Sequence, residues 1–207
     1  MKLIRQTFLI SSGLLVAASM SFAQSANIYF GVGTAMDSSS KAQIDTFGTG
    51  SPFTTPSLAG AFPDIGASVL FTKHVGLGAD VSWRASKAAY AGLLYKPVFY
   101  NFDGIWEPMS TKHFEPEIHA GLGGMHIGYS YSQTECDQFA GCSTSNEGVE
   151  TSSHFQLHMA LAARLYVTDH VFVRPAVDAH YVNNLFQFGS NWVPEYSIGI
   201  GYSFGRE

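Results

Sequence analysis

Ten residues near the middle of the chain, VGLGADVSWR from Val75 to Arg84, alternate between two kinds of side chain. The odd-numbered positions carry apolar groups, and the even-numbered positions carry glycine, serine or a charge. Because successive side chains of a β-strand point to opposite faces, this pattern predicts a strand with two unlike faces. Such a strand suits a soluble β-protein whose apolar face lies in a core, or a membrane barrel whose apolar face meets lipid.

The first 23 residues form a segment of a different kind. Lys2 and Arg5 precede an apolar stretch, and small residues lead up to Ala23. This is the pattern of a secretory signal peptide cleaved after Ala23, and serines and a glycine interrupt the stretch too early for a membrane-spanning helix. We therefore expect a signal peptide over 1–23 and a single domain over 24–207.

Charge and hydropathy narrow the choice of fold and partner. Beyond the predicted signal peptide, nine lysines and arginines stand against 16 aspartates and glutamates, a net charge of −7 with histidine neutral. A nucleic-acid-binding protein needs a basic face, so the balance argues against nucleic acid as a partner. No apolar run beyond residue 23 is long enough for a transmembrane helix, so membrane integration would require a closed barrel of strands.

About eight alternating segments separated by turn signals fill the rest of the chain. The facing of the fourth is ambiguous because it contains Pro97, and a switch of apolar parity at Gly123–Gly124 predicts a β-bulge in the fifth. Long connections alternate with short ones, which is typical of external loops and periplasmic turns. The segments are predicted at 27–36, 64–72, 75–84, within 93–106, from 114 onward, and at 154–167, 171–181 and 195–204.

The composition of the two faces indicates which one meets lipid. The more polar face is rich in glycine, serine and alanine with isolated charges, and such small residues fit the crowded interior of an eight-stranded barrel. Aromatic residues on the apolar face fall near the strand ends, as in the two interfacial girdles of a membrane barrel. We expect an external girdle of Trp83, Tyr131, Phe155, Tyr181 and Tyr196 and a periplasmic girdle of Phe71, Tyr202 and Phe204.

The chain resembles the small eight-stranded outer-membrane β-barrels of the OmpA/OmpX-like family over nearly all of 24–207. The resemblance implies an all-β, antiparallel, up-and-down transmembrane barrel in the cell outer membrane. It also implies contact with membrane lipid and lipopolysaccharide, and folding by the outer-membrane assembly machinery. The residues that carry it are IGASVLFTKHVGLGADVSWR at 65–84, FVRPAVDAHYV at 172–182 and EYSIGIGYSFGRE at 195–207.

Charged and titratable residues assigned to the interior face are the first candidates for a site. Buried charges are costly unless they are paired, and because both signs occur we expect a structural charge network that closes the lumen. The first alternative is a narrow ion or small-solute channel, since ionisable groups within a membrane often mark a pathway. The residues are Asp80, Arg84, Lys96, Glu117, His119, His158, Arg164, Arg174, Asp178, His180 and Glu195.

Cys136 and Cys142 lie close together in the long predicted loop between the fifth and sixth strands. A disulfide is favoured in an oxidising compartment, because a zinc site would need further ligands and the loop offers only carboxylates. Closing so short a loop constrains little chain, so we expect a local effect on the shape of the loop.

A lipid A-modifying enzyme is the second alternative. Hydrolysis would need a serine activated by a histidine with an orienting carboxylate, and the deacylase type places His and Ser two residues apart on one strand. The chain has no His-x-Ser, and neither His126 with Ser130 nor Ser152, Ser153 and His154 has the expected spacing and direction.

The sequence therefore predicts a scaffold protein whose external loops provide surface contacts, with no catalytic residue, no metal and no cofactor. A soluble barrel that binds a ligand within its apolar face is the third alternative.

Overall fold

The structure is a computed structural model in which residues 24–37, 40–45, 50, 52–90, 93–137, 141–185 and 188–206 are described. The predicted signal peptide lies outside these residues. No helix among them is long and apolar enough to cross a membrane. The strands are β1 (Ser25–Ala35), β2 (Gln43–Ile44), β3 (Phe53–Thr54), β4 (Phe62–Leu70), β5 (Val75–Trp83), β6 (Ala88–Tyr90), β7 (Leu93–Trp106), β8 (Phe114–Asp137), β9 (Gly141–Tyr166), β10 (Val171–Val182) and β11 (Trp192–Phe204).

Eight of these strands close into a barrel in which every ladder is antiparallel. Neighbours follow the order β5, β4, β1, β11, β10, β9, β8, β7, and the pairing of β5 with β7 completes the ring. The predicted all-β, eight-stranded antiparallel barrel is confirmed. Outside the ring, β2 pairs with β3, and β6 pairs with the first residues of β7.

The two ends of the barrel differ. At one end, called the turn end, short connections at 71–74, 107–113 and 167–170 join the strands, and both Ser25 and Phe204 lie there. All three turns use the same bond: the threonine hydroxyl accepts from the backbone N–H three residues later, in Thr72 from Val75 at 3.0 Å, in Thr111 from Phe114 at 3.1 Å and in Thr168 from Val171 at 3.0 Å. The opposite end, called the loop end, carries the longer connections.

Six barrel strands have the facing that their alternation predicts. In β5, Val75 is 52% and Leu77 is 57% exposed, whereas Ser82 is buried inside. The same division of outer apolar and inner polar or small residues holds in β1, β4, β9, β10 and β11. The outer surface is therefore an apolar belt, and Phe102 and Ile200 are each 66% exposed within it.

Strands β7 and β8 correct the sequence-based facing. The predicted bulge at Gly123–Gly124 is wrong, because the register on both sides of β8 runs through these glycines without a shift. Met125 and Ile127 accordingly face the interior, and both are fully buried. The register shift lies between Tyr129 and Ser130.

Pro97 leaves β7 continuous. Arg84, just beyond the end of β5, donates its N–H to the carbonyl of Pro97 at 3.0 Å. In an antiparallel ladder the N–H and C=O of one residue point to the same neighbouring strand. The N–H that Pro97 lacks would therefore point towards a position just beyond the end of β5, where no ladder partner is lost. The position is an edge, which is where a strand tolerates proline.

β8 and β9 extend beyond the barrel as a two-stranded ribbon. The last pair between β7 and β8 is Leu94 with Ser130, whereas β8 and β9 stay paired out to Asp137 with Gly141. The segment predicted as a long loop is thus a β-hairpin that projects from the loop end. Its sequence is mostly polar and has no apolar alternation, so hydrophobic periodicity could not identify it.

Candidate functional site

The lumen has room for large side chains because glycines line its wall. A Cβ at Gly66 would lie 2.5 Å from the ring of Tyr29, so the absence of a side chain there allows Tyr29 to fill the interior. The guanidinium of Arg174 in turn lies 4.4 Å from the centre of the Tyr29 ring. Small wall residues and large interior residues are therefore complementary, as an eight-stranded barrel requires.

The part of the lumen nearest the turn end is a network around Arg164, which is 1% exposed. Arg164 pairs with Glu107, with Glu115 at 3.2 Å and with Glu117 at 2.8 Å. Nε of Arg174 donates to the second oxygen of Glu117 at 2.9 Å, which links the two arginines through one carboxylate. Three acids on two elements thus depend on one guanidinium.

Arg206 covers this network at the turn end. Its guanidinium lies 3.3 Å from the centre of the Tyr166 ring and 3.4 Å from Glu115. It also donates to backbone carbonyls of Thr111 at 2.8 Å and Lys112 at 3.0 Å. The barrel is closed here by hydrogen bonds between the end of the chain and the neighbouring turn.

A second group of charges lies midway along the lumen around His158. The Nδ1 atom of His158 is 2.9 Å from each oxygen of Asp103, and Nε2 is 3.2 Å from Asp178. Asn101 donates to Asp80 at 2.8 Å and accepts from Gln156. Strands β5, β7, β9 and β10 contribute to this group, so it ties opposite walls of the barrel together.

Asp80, Asp103 and His158 also form the one group among the described residues whose ligand atoms lie close enough, within 4.8 Å of one another, to hold a metal ion. The hydrogen bonds just described already engage both oxygens of Asp103, one oxygen of Asp80 and Nδ1 of the histidine. We therefore assign the group to the hydrogen-bond network.

The part of the lumen nearest the loop end is an apolar plug. The rings of Phe62 and Phe99 are 6.0 Å apart, and those of Tyr95 and Phe188 are 5.7 Å apart. Phe99 also stacks on His180 at 4.7 Å, which joins the plug to the charged part of the lumen. The buried cluster consists of Ala35, Leu58, Phe62, Tyr95, Phe99, Met125, Ile127, Val182, Leu185, Phe188 and Val193.

Asp37 borders the plug just beyond β1. One of its carboxylate oxygens accepts the backbone N–H of Leu58 at 2.9 Å, and the side chain is almost fully buried. Burial raises the pKa of the Asp37 carboxyl, and the bond from Leu58 opposes this only in part. The group therefore prefers its neutral form more than an exposed aspartate does.

Two small voids lie within the described lumen. Two interior cavities, one beside Arg164 and one beside Glu195, each have about 10 Å³ of accessible volume. A single water needs about 10–15 Å³ by this measure, so each cavity has room for roughly one water. Ions and solutes would have to displace the side chains that fill the barrel.

Nine of the eleven predicted interior residues lie in the lumen, and two do not. Lys96 is on the outer face, because it lies between the buried, inward-facing Tyr95 and Pro97 in β7; its assignment to the lumen is wrong. Arg84 lies beyond β5 at the loop end, where it donates to the carbonyls of Ser57 at 3.3 Å and Ala59 at 2.6 Å. It is therefore bound to a loop and is not part of the charge network.

Several interior residues were missed by the sequence analysis. The parity of the second predicted strand could have found Asp64, which faces inward beside Glu195. Asp103 was hidden by the ambiguous facing of β7, and Glu107, Glu115 and Arg206 lie at strand ends where alternation gives no signal.

The aromatic girdles are largely where the apolar face predicts them. Phe155 at the loop end and Phe71, Tyr202 and Phe204 at the turn end are exposed on the outside. Tyr131 is the exception, because it lies on the ribbon beyond β7 and shares its parity with the inward-facing Ile127. Trp192, 49% exposed and 5.2 Å from the ring of Tyr181, was not predicted and extends the girdle at the loop end.

Cys136 and Cys142 form a disulfide near the tip of the ribbon. They are directly opposed in the β8–β9 register, and their Cα atoms are 4.0 Å apart. The bond therefore links two strands that already pair, which fixes the shape of the tip.

Two serine–histidine hydrogen bonds lie near the loop end. Nδ1 of His126 is 2.9 Å from the hydroxyl of Ser153 on the outer face, and Nε2 of His154 is 2.7 Å from that of Ser152. The other ring nitrogen of His154 is 3.0 Å from the carbonyl oxygen of Asn183. In the part of the chain that the structure describes, no carboxylate contacts either histidine, so the third member of a hydrolytic triad is missing.

Comparison with known proteins finds no matching family model and no matching curated protein. Solved structures do match. Neisserial surface protein A aligns with a TM-score of 0.56 at 17% identity, covering 86% of this chain and 97% of that one. Ail of Yersinia pestis, in complex with the heparin analogue sucrose octasulfate, gives 0.55 at 10% identity, covering 87% and 98%.

The outer membrane protein OprG from Pseudomonas aeruginosa gives a TM-score of 0.53 at 16% identity, covering 88% of this chain and 96% of that one. At these identities the likeness concerns the fold. The chain has the fold of the small eight-stranded outer-membrane β-barrels, as the resemblance in its strands implied.

Proposed function

We propose that this protein is an integral outer-membrane barrel whose filled lumen is structural and whose loop end faces the outside of the cell. The observation that carries the proposal is the position of the apolar side chains. The outer surface is a continuous apolar belt with aromatic residues at both rims, while the interior holds charged pairs. In water this arrangement would expose the apolar face to solvent. In a bilayer the apolar face contacts lipid, and the paired charges stay inside the barrel.

Two features support a scaffold rather than a pore or an enzyme. The charged groups are engaged with one another and the loop end is plugged by apolar side chains. The disulfide-linked ribbon, by contrast, extends beyond the barrel, and its sequence is mostly polar. We assign surface contact to the ribbon and the neighbouring loops. The polyanion that Ail binds in its complex suggests anionic sugars as one class of contact to test.

A charge placed in the apolar belt tests the membrane location. Leu77→Arg should cost about 1–3 kcal/mol of folded stability in a bilayer, because Leu77 lies in the apolar belt between the turn end and the midplane, and the cost of an arginine falls from about 2–4 kcal/mol at the midplane to about 0–1 kcal/mol at the interface. The measurement is urea-induced unfolding in phosphatidylcholine vesicles, followed by the heat-dependent mobility of the folded form on gels. The control is Met109→Arg in the turn before β8, since Met109 at 48% is almost as exposed as Leu77 at 57%.

In a soluble protein both exposed sites would tolerate arginine equally. Equal stability of the two variants, together with protein in the periplasmic fraction, would therefore refute the membrane location.

A further inference from the structure

We propose that the outer face of the barrel at the loop end binds the phosphate group of a phosphorylated glycolipid of the external leaflet, through Lys87 and Lys96. The inference rests on the proposed membrane location and adds a defined site to it. The site is an open cleft of about 560 Å³ between β7 and β9, called the lysine cleft. It is lined by Lys87, Lys96, Gly128, Tyr129, Ser130, Gly148, Val149, Glu150 and Thr151.

Lys96 faces the bilayer side of the wall. Tyr95 and Phe99 of the same strand are buried in the plug, and the intervening even-numbered residues point outward. Lys96 of β7 is paired with Gly128 of β8, and Gly128 is paired with Thr151 of β9, so the three residues form one row on the outer face. A cation in this direction cannot belong to the lumen network.

Missing side chains and a register shift form the cleft. An added Cβ at Gly128 or Gly148 would meet no atom within 4 Å, so both positions leave open space. The register between β8 and β9 shifts at Tyr129/Ser130, which leaves Val149 as an extra residue and bends the wall. Lys87 reaches across from the connection after β5, and its Nζ donates to the hydroxyl of Ser130 at 2.9 Å.

The position of the cleft along the barrel axis matches the level of a lipid headgroup. On the same wall, the cross-strand row of Tyr100, Gly124 and Phe155 still belongs to the apolar belt. The next row holds His126 hydrogen-bonded to Ser153, and the row beyond it holds Lys96. The lysine therefore lies just above an aromatic rim, at the level where phosphate groups of the external leaflet are found and where lysine is readily accommodated.

Neither lysine of the cleft forms an ion pair with the part of the chain that the structure describes. Among the described residues Lys96 forms no ion pair, and the partner of Lys87 is a neutral hydroxyl. Glu150 lines the cleft but forms no ion pair with either lysine in that part of the chain. Two ammonium groups beside open space can both contact one phosphate, and each charge-assisted bond is strong at a partly dehydrated interface. A soluble anion would lack the acyl chains that the belt below can contact.

Lipopolysaccharide binding by the double variant Lys87→Ala/Lys96→Ala tests the site. The full-length protein is folded into phosphatidylcholine vesicles, and its apparent affinity for added lipopolysaccharide is measured. A basic residue contributes about fivefold to binding near an anionic surface, so we expect roughly a tenfold or greater loss. The matched control is Lys73→Ala/Lys112→Ala, which removes the same charge at the turn end and should bind as the wild type does.

Two further arms identify the ligand group. Lipopolysaccharide from which the lipid A phosphates have been removed should bind the wild type as weakly as intact lipopolysaccharide binds the double variant. Inorganic phosphate should not compete at concentrations that leave the vesicles intact, whereas competition would move the site to a soluble anion and refute a lipid ligand.

Failure of the site and failure of the membrane location give different results. If the wild type inserts into vesicles and shows the heat-dependent shift but the double variant binds equally well, the lysine cleft is refuted and the proposed function stands. If the wild type does not insert, the proposed function fails and the cleft fails with it.

Discussion

The two parts of the lumen solve the same packing problem with opposite chemistry. Towards the turn end the interior is filled by arginines, histidines and carboxylates, and towards the loop end it is filled by aromatic and aliphatic side chains. His180 stands at the boundary, stacked between His158 at 4.9 Å and Phe99 at 4.7 Å. Charge pairs fix opposite walls at defined distances, whereas the plug excludes water from the side that would face outside.

This difference in chemistry affects how a substitution in each part lowers the free energy of unfolding. A buried charge network contributes little net stability when complete but is expensive to break, because the remaining charges lose their partners. An apolar plug loses stability in proportion to the volume removed. Substitutions in the two parts should therefore destabilise the barrel for different reasons, in one part by leaving charges unpaired and in the other by removing buried volume.

The largest effect is expected at Arg164. Arg164→Met removes the cation shared by three buried glutamates while keeping most of the side-chain volume, and it should lower the free energy of unfolding by about 3–5 kcal/mol. Urea-induced unfolding in vesicles measures the change, with Lys112→Met in the exposed turn as a control within about 0.5 kcal/mol of the wild type. A loss below about 1 kcal/mol would contradict a tightly coupled network.

A slightly smaller effect is expected at Phe99 in the plug. Phe99→Ala should cost about 3–4 kcal/mol by leaving a cavity among Phe62 and its neighbours, measured in the same unfolding assay. Phe99→Leu retains most of the volume and should cost less than about 1.5 kcal/mol. Equal losses for the two variants would mean that stacking on His180, rather than filled volume, holds the plug.

The smallest effect is expected at Asp37, where a carboxyl borders the apolar plug. The pKa of the Asp37 carboxyl is higher in the folded than in the unfolded protein, so the carboxyl stabilises the folded state most below its unfolded pKa of about 3.9. This stabilisation is lost as the pH rises through the folded pKa. Asp37→Asn keeps an acceptor for Leu58 and should gain up to about 1 kcal/mol at pH 7.

The Asp37→Asn gain should vanish below about pH 4, where the aspartate is itself protonated. Unfolding curves of both proteins across this range measure the difference. A gain that persists in acid would mean that the burial of Asp37 carries no charge penalty.

The same contrast explains what the sequence could predict. Alternation identified the facing of β1, β5 and β9 because their inner residues are small or polar and their outer residues apolar. It failed in β7 and β8, where Phe99, Met125 and Ile127 face inward and make both faces apolar. The ambiguous strand, the false bulge and the misplaced Lys96 therefore have one physical cause, which is the plug.

The ion pairs at the strand ends could not be predicted from hydrophobic periodicity. The ion pairs of Glu107, Glu115 and Arg206 join strand ends that are distant in the chain, and no periodicity marks them. The choice of interior charges was nevertheless largely recoverable, because Arg164, Arg174 and His158 occupy strictly alternating positions among apolar neighbours.

The ribbon also determines how the molecule would respond to a pulling force. Its strands continue β8 and β9 across one register shift, and each of these is paired within the barrel with a neighbour on its other side. Tension applied at the disulfide-linked tip along the ribbon would run parallel to these strands. Many backbone hydrogen bonds would then be loaded together in shear, instead of being opened one after another. The ribbon is thus anchored by the backbone hydrogen bonds that β8 and β9 form with their neighbours in the barrel wall.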